Sequence, residues 1–483
     1  MYWIFGLYVL SLACILLYNF LQLNLLFHYL GRKKPVPPPP AIKTFPLVTI
    51  QLPLYNEPYV AERLIDNIAA IDYPRDRFEI QLLDDSTDTT TEICERKAAL
   101  YRAQGIDIKV IHRTDRSGFK AGALAHGLLQ AKGEFVAIFD ADFLPNHRFL
   151  QITIPYFANP SVAVVQTRWA HLNDNYSLFT KLQALQLNVH FTIEQAGRKA
   201  ARHFLQFNGT AGVWRKSAIE DAGGWKADTL TEDLDLSYRA QMKGWEIVYL
   251  EDVGSPAELP VEINGIKSQQ FRWMKGGAEN ARRLIPALLK SATSLGTKLH
   301  GLAHLCNSSI FLAVFLVALS SVALLPFMDD LNIDIRFLSI SLLGLVGVAA
   351  VYFHANISLL PHPLNWRSGK DILALIFYFP LLLTMSMGLS FHNSVAVVEG
   401  YLGIKSSFVR TPKYNIVGRI RTLSDSSQKI PISNTLLIEG ALTLLFLLAL
   451  LWAVYLNEYC FFIFHLMLAV GFGTIFVVSW RDR

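Results

Sequence analysis

The sequence predicts an α/β domain built on a doubly wound, mostly parallel sheet and inserted in an α-helical transmembrane region. Three observations carry this prediction. From Pro46 onward, short β-rich runs alternate with helical stretches. Long apolar segments lie toward both ends of the chain, and the charged 17% of residues concentrates between them. Two of the central apolar runs end in paired carboxylates, Asp84 with Asp85 and Asp140 with Asp142.

Tyr2 to Leu30 is nearly uncharged and is followed at once by Arg32, Lys33 and Lys34. It is too long for a signal-peptide core and lacks a small-residue cleavage site, so it predicts a transmembrane helix with its carboxyl end in the cytoplasm. Pro35 to Pro40 then reads as a stiff polyproline spacer. Strands are expected over Pro46 to Glu57, Phe78 to Asp88, Ile106 to Arg113 and Val136 to Asp142, with helices over Ala61 to Ile71, after Asp88, and over Lys120 to Ala131. Ser161 to Trp169 is a further strand, and Tyr176 to Lys199 a long amphipathic helix.

Asn264 to Thr297 mixes Arg and Lys with Phe271, Trp273, Met274 and Leu284, a pattern suited to the membrane interface. Apolar segments come next at about Leu305 to Phe327, Leu338 to Leu360, Ile372 to Val398, Leu436 to Leu456 and Phe461 to Trp480. Asp329, Asp330 and Asp334 suggest an outside loop, whereas Arg367 with Lys370, and Arg410 through Lys429, suggest inside loops. Both basic loops can be cytoplasmic only if Ile372 to Val398 lies in the interface or bends back. The expected division is a transmembrane helix at 1–31, a basic, proline-rich linker at 32–46, the α/β domain at 47–263, amphipathic interface helices at 264–300, and a transmembrane region at 301–483 carrying a cytosolic loop at 400–430.

The totals agree with that division. The 483 residues exceed what one core usually holds, and the mean hydropathy is +0.31. A net charge of +5 is mild and clusters beside apolar segments, which argues for contact with the lipid bilayer and against a nucleic-acid partner. The four cysteines have no metal-type spacing.

The chemistry lies in four groups of residues. Asp140 and Asp142 end an apolar run, Ala137 to Phe139, that needs burial. Carboxylates so close repel unless a cation sits between them, and a hard divalent ion with a diphosphate is the common answer; the alternative is a turn in which Asp142 caps the next segment. Asp84 and Asp85 are expected beside that strand, where one acid would meet a base or ribose, unless Asp85 or Ser86 merely caps the next helix. Lys120 opens a helix after Gly118, a position suited to phosphate oxygens but also common for a surface lysine. Thr231, Glu232 and Asp233 open another helix, where a carboxylate is either a cap or, in Asp233, a base for an acceptor hydroxyl. Gln269, Arg272 and Trp273 combine an amide, a guanidinium and an indole: Arg272 to pair with a departing diphosphate and Trp273 to stack on a sugar, or both in an interfacial belt.

In this order the residues resemble the processive family-2 glycosyltransferases, the group of cellulose, chitin and hyaluronan synthases, and most closely the plant cellulose-synthase-like proteins that make mannan and the xyloglucan glucan backbone. The resemblance runs from about Val48 to Lys413 and includes Gln166 to Trp169, Phe207 to Arg215, Gly223 to Trp225 and Glu258 to Pro260. It implies a GT-A fold and a Mg²⁺ or Mn²⁺ ion held by Asp142 and Asp140. It implies a nucleotide sugar bound by Asp84 or Asp85, Lys120, Asp140, Gln269 and Arg272. Asp233, with Glu232 and Arg272, would carry the catalysis, and Trp273, Asn208 and Trp169 the acceptor. Phe408 to Lys413, F-V-R-T-P-K, is similar to the loop that closes over the nucleotide in cellulose synthases, which implies diphosphate contacts for Thr411 and Lys413; Arg410 departs from the family's valine. Because the residues that remain are mostly apolar, no PilZ-type domain is expected.

The reading is an inverting, membrane-embedded β-glycosyltransferase that extends and translocates a β-glucan or mannan-type polysaccharide, its catalytic domain cytosolic at a bacterial plasma membrane or Golgi-type membrane. The donor is UDP-glucose or GDP-mannose, with the balance toward UDP-glucose. The alternatives are transfer of a single sugar to a membrane lipid, as ceramide glucosyltransferases do, and a silent transporter or scaffold.

Overall fold

Strand β1 (Val48–Leu54) stands at the centre of the sheet in the computed structural model, which describes residues 1–32, 44–331, 335–360, 369–406, 409–417 and 434–482. The expected polyproline spacer, Asp334, Arg367, Phe408 and the basic run from 418 to Lys429 lie outside the described residues. Six further strands complete the sheet: β2 (Phe78–Asp84), β3 (Ile108–His112), β4 (Phe135–Ile138), β5 (Val162–His171), β6 (Gly212–Arg215) and β7 (Glu246–Ala257). Their order is β3-β2-β1-β4-β6-β5-β7. All pairings are parallel except those of β6, which runs antiparallel to both β4 and β5.

Alternation within the strands feeds two cores. Val48, Ile50 and Leu52 of β1 bury against Leu64, Ile65 and Ile68 of the helix Ala61–Ala69 and Cys94 and Ala98 of the helix Thr90–Ala103. On the other face Leu83, Val136 and Ile138 meet Leu124 and Leu128 of the helix Phe119–Leu129. Leu25 and Tyr29 of the first helix, Tyr2–Gly31, join this second core. Its end is fixed to the domain at Glu251, which accepts from the Tyr29 hydroxyl at 2.7 Å and pairs with Arg32 at 2.8 Å.

Two strands, β6 and β7, are not expected from the sequence, and one neighbour relation differs. Asp84 and Asp85 do not stand beside the D-x-D strand, because β1 is hydrogen-bonded between β2 and β4. The acidic ends still share one edge, since all three strands run parallel. The strand order reverses between β1 and β4, the place where open α/β sheets hold ligands.

Beyond the domain, a long helix, Ile263–Lys290, leads to Leu295–Leu305. Among the described residues five helices are long and apolar enough to cross a membrane: Tyr2–Gly31, Ser309–Phe327, Gly369–Gly388, Asn434–Leu456 and Phe462–Arg481. Ile372 to Val398 is not one helix: it divides at Leu389 into Gly369–Gly388 and Ser390–Leu402. Leu382 in the first part packs on Leu182 and Leu185 of the α/β domain.

Candidate active site

The two carboxylates of the D-x-D sequence sit just past β4, whose Phe139 extends the ladder to Gln51 of β1. The Asp140 amide donates to Thr210 Oγ1 at 2.9 Å. Lys120, in the first turn of Phe119–Leu129, is brought to this turn by Gly118, which holds a left-handed φ of 71°. Its ammonium bonds Asp140 Oδ1 at 2.5 Å and the Gly209 carbonyl at 2.9 Å. Burial would lower the Lys120 pKa, but Asp140 and Glu232 outweigh it and raise it. Asp142 is nearly buried and pairs with Lys413 at 2.6 Å.

The helix Glu232–Met242 presents the second acid group. Its entry is fixed by the long helix: Asn280 donates to Thr231 Oγ1 at 2.8 Å, Glu279 accepts from the Leu230 amide at 2.8 Å, and a Cβ on Gly276 would stand 2.5 Å from Thr231 Oγ1. Gly209 marks where the elements meet, because a Cβ there would lie 3.2 Å from Asp233 Oδ2 and 3.5 Å from Lys120 Nζ. Burial, and then the neighbouring Glu232, push the Asp233 carboxyl up to about 7. Burial also raises Glu232.

Arg272 reaches the site from the long helix. Its Nη2 donates to Thr411 Oγ1 at 2.8 Å. Burial lowers its pKa, opposed by Asp140, Glu232 and Asp142; the arginine remains a cation, since its ordinary value is far above neutrality.

The segment 409–417 lies across these groups. Besides Thr411 and Lys413, Arg410 pairs with Glu57 at 2.6 Å. Glu258 accepts from the backbone amides of Tyr414 at 2.8 Å and Ile416 at 3.1 Å. Arg63 donates to Asn415 Oδ1 at 2.7 Å. Glu57, buried just beyond β1, has its carboxyl raised by burial to about 7.

The structure brings together Lys120, Asp140, Asp142, Glu232, Asp233, Arg272, Thr411 and Lys413. It draws Asp84 away: that carboxylate is fully buried and accepts from Ser86, Thr91 and His112. Asp85 is bound through both oxygens to Arg113 at 2.7 and 2.5 Å. Trp169 is packed between Phe143 and Phe191, its indole N–H buried and without a partner among the described residues. Gln269 and Trp273 are half-buried on the long helix. Sequence reasoning missed Glu57, Arg63 and a role for Glu258. Glu57 comes just after a strand end, which is a usable signal; the other two are defined only by what they touch.

Among the described residues no group of three or more His, Cys, Asp or Glu side chains could hold a metal ion alone. A diphosphate-bound divalent ion needs only one or two protein carboxylates. Asp140 and Asp142 supply hard oxygen donors, and each already faces an ammonium group. The residues fit such an ion.

Residues 46–276 match the model of a family described as glycosyltransferase like family 2. The probable glucomannan 4-beta-mannosyltransferase 7 of Oryza sativa subsp. japonica is 43% identical over 245 residues, 50% of this chain and 42% of that protein. Glucomannan 4-beta-mannosyltransferase 1 of Cyamopsis tetragonoloba is 42% identical over 252 residues, 51% of this chain and 48% of that protein. The match spans under half the length of either relative. The mannosyltransferase PcManGT from Pyrobaculum calidifontis, solved in complex with GDP-Man and Mn2+, is 20% identical with a TM-score of 0.54, over 83% of this chain and 99% of that one, and shares the GT-A-type fold.

Proposed function

Since residues 46–276 match the model of the glycosyltransferase like family 2, we propose that the protein is an inverting β-hexosyltransferase that extends a mannan-type polysaccharide from a mannosyl nucleotide. The observation that carries this reading is the clustering around Lys120 and Arg272 of a carboxyl pushed up to about 7, Asp233, and a separate carboxylate pair facing ammonium groups, Asp140 and Asp142. Motifs alone lean toward UDP-glucose. The mannosyl transfer in the names of relatives 42–43% identical supports GDP-mannose instead.

Asp140 and Asp142 would hold a divalent ion, which supplies Lewis-acid stabilisation of the diphosphate. Lys120 and Arg272 neutralise charge that grows on the leaving diphosphate as the bond to the anomeric carbon breaks. Asp233 takes the proton of the acceptor hydroxyl as its oxygen bonds the anomeric carbon from the opposite face, which turns an α-linked donor into a β-linked product. A base near 7 suits this task, because it is substantially ionised at neutral pH and still holds a proton well. Polymer rather than lipid is supported by the glucomannan in the names of those relatives. A narrow crevice, lined mostly by Leu182, Ile266, Leu382, Met385 and Leu389 with Gln183, Gln186 and Gln270 among them, lies where the helix Leu178–Val189 meets the long helix and the apolar helices.

The test is incorporation of labelled sugar by the purified protein with Mn²⁺ and each donor in turn, with Asp233→Asn as control. Incorporation from GDP-mannose that the substitution abolishes supports the reading. Incorporation from UDP-glucose alone reassigns the donor, and incorporation that survives the substitution removes Asp233 from its role.

A further inference from the structure

The helix Leu178–Val189 continues past its α-helical part through a π-helical turn, His190–Glu194, into Gln195–Ala200. Such turns add a residue to the helical ladder and rotate the side chains beyond it, and they are frequent at functional sites. This one sets two titratable side chains together: His190 Nδ1 is 2.9 Å from Glu194 Oε2. The other ring nitrogen, Nε2, is 2.8 Å from Asn208 Oδ1. A carboxylate and an amide oxygen both only accept, so in these contacts both ring nitrogens carry a hydrogen, Nδ1 donating to Glu194 and Nε2 to Asn208.

Glu194 is fixed from several sides. Gln22 donates to Oε1 at 2.8 Å and the Tyr18 hydroxyl at 3.2 Å, both from the first helix, and Arg198 lies at 3.5 Å. Burial alone would raise this carboxyl, but Arg198 and His190 hold it well below the usual range. The imidazole is different: its side chain is 24% exposed against 8% for Glu194, so it faces accessible space.

The partner of the ring adjoins the reaction centre. Asn208 precedes Gly209, the residue on which Asp233 and Lys120 close. Gln183, Gln186 and His190 recur at helical spacing on one face, and the two glutamines line the crevice beside the long helix. His190 thus bonds, through Asn208, to the segment that carries Gly209, and continues the face of the two crevice glutamines.

We infer that His190, oriented by Glu194, is an acceptor-positioning residue: it fixes the Asn208 amide against the hydroxyls of a saccharide terminus and so sets that terminus beside Asp233. The inference rests on the glycosyl-transfer reading above and deepens it.

The test uses the full chain in nanodiscs and measures two quantities from one labelled donor, sugar transferred to polymer and sugar released to water. A donor-side or merely structural residue moves both together, whereas an acceptor-positioning residue moves their ratio. His190→Ala is expected to lower the ratio of transfer to hydrolysis about tenfold, the equivalent of one lost hydrogen bond to a held group, with the affinity for the donor nucleotide unchanged. His190→Gln, which retains an amide partner for Asn208, is expected to recover most of that ratio. If His190→Ala fails to fold, Glu194→Gln, which loosens the imidazole, is read in its place: a lowered ratio is expected, and an unchanged one overturns the inference. So does equal loss of transfer and hydrolysis in His190→Ala. A wild-type protein that hydrolyses donor but transfers nothing overturns the reading beneath it and the positioning role with it.

Discussion

At the scale of single residues the account depends on which carboxyl stays free. Asp140 and Asp142 are each matched to an ammonium group, whereas burial and Glu232 hold Asp233 up at about 7. A base works only in its ionised form, so transfer should rise as pH climbs through about 7 and fall away below it. Asp233→Asn should lower kcat by about 10²- to 10⁴-fold and leave no such pH step, as a rate profile from pH 5.5 to 8.5 would show. Lys413 makes a different prediction. Its ammonium stands on Asp142 where a divalent ion would compete. Lys413→Ala should therefore tighten Mn²⁺ binding in the absence of nucleotide, read by calorimetry, and should raise the KM for donor by removing a cation near the diphosphate; weaker Mn²⁺ binding would contradict that competition.

At the scale of elements the site is an agreement between two helices and one loop. Gly276 lets the long helix approach the start of the Asp233 helix, with Thr231 Oγ1 2.5 Å from where a Cβ would be. Gly276→Ala must displace Thr231 and with it Asp233, the proposed base; a shift near 1 Å can cost about 10²-fold in rate. The expected signature is a large loss of kcat with a melting temperature that moves only a few degrees. In the loop, Arg410 pairs with buried Glu57. Arg410→Val should leave 409–417 more readily cleaved by trypsin after Lys413, and unchanged cleavage would show that Glu258 and Arg63 alone fix it.

This scale also shows where the sequence stops being informative. β1 to β5 are legible because each is an apolar run bounded by turn residues. β7 is not, since Glu251, Asp252, Gly254 and Pro256 break any alternation in an edge strand. β6 is four residues long and is defined by its two neighbours. The placing of β1 between the two acidic strand ends comes from pairing across the chain, as do the partners of Arg410. Aspartates next to strand ends and helix starts announce themselves locally; Glu57, Arg63, Glu258 and the His190–Glu194 pair acquire meaning only through residues far away in sequence.

At the scale of the molecule the α/β domain is joined to several long apolar helices, consistent with membrane insertion, and the long helix between them carries two ion pairs, of which the one to Glu439 is buried. Lys267 of the long helix donates to both oxygens of Glu439 at 2.7 and 2.8 Å, and Lys275 pairs with Glu399 at 3.0 Å. Removing one partner of a buried pair costs about 3–5 kcal/mol, whereas replacing both by apolar residues is far milder. Glu439→Leu alone should lower the melting temperature in detergent markedly, and Lys267→Leu added to it should restore most of the loss.

Product length is the property that separates extension of a polymer from transfer of one sugar to a lipid. The decisive measurement is the size distribution of labelled product made by the purified protein from GDP-mannose and Mn²⁺, before and after β-mannanase. The account predicts a long product that β-mannanase degrades and that Asp233→Asn does not make. A single-sugar product extractable into organic solvent would contradict it.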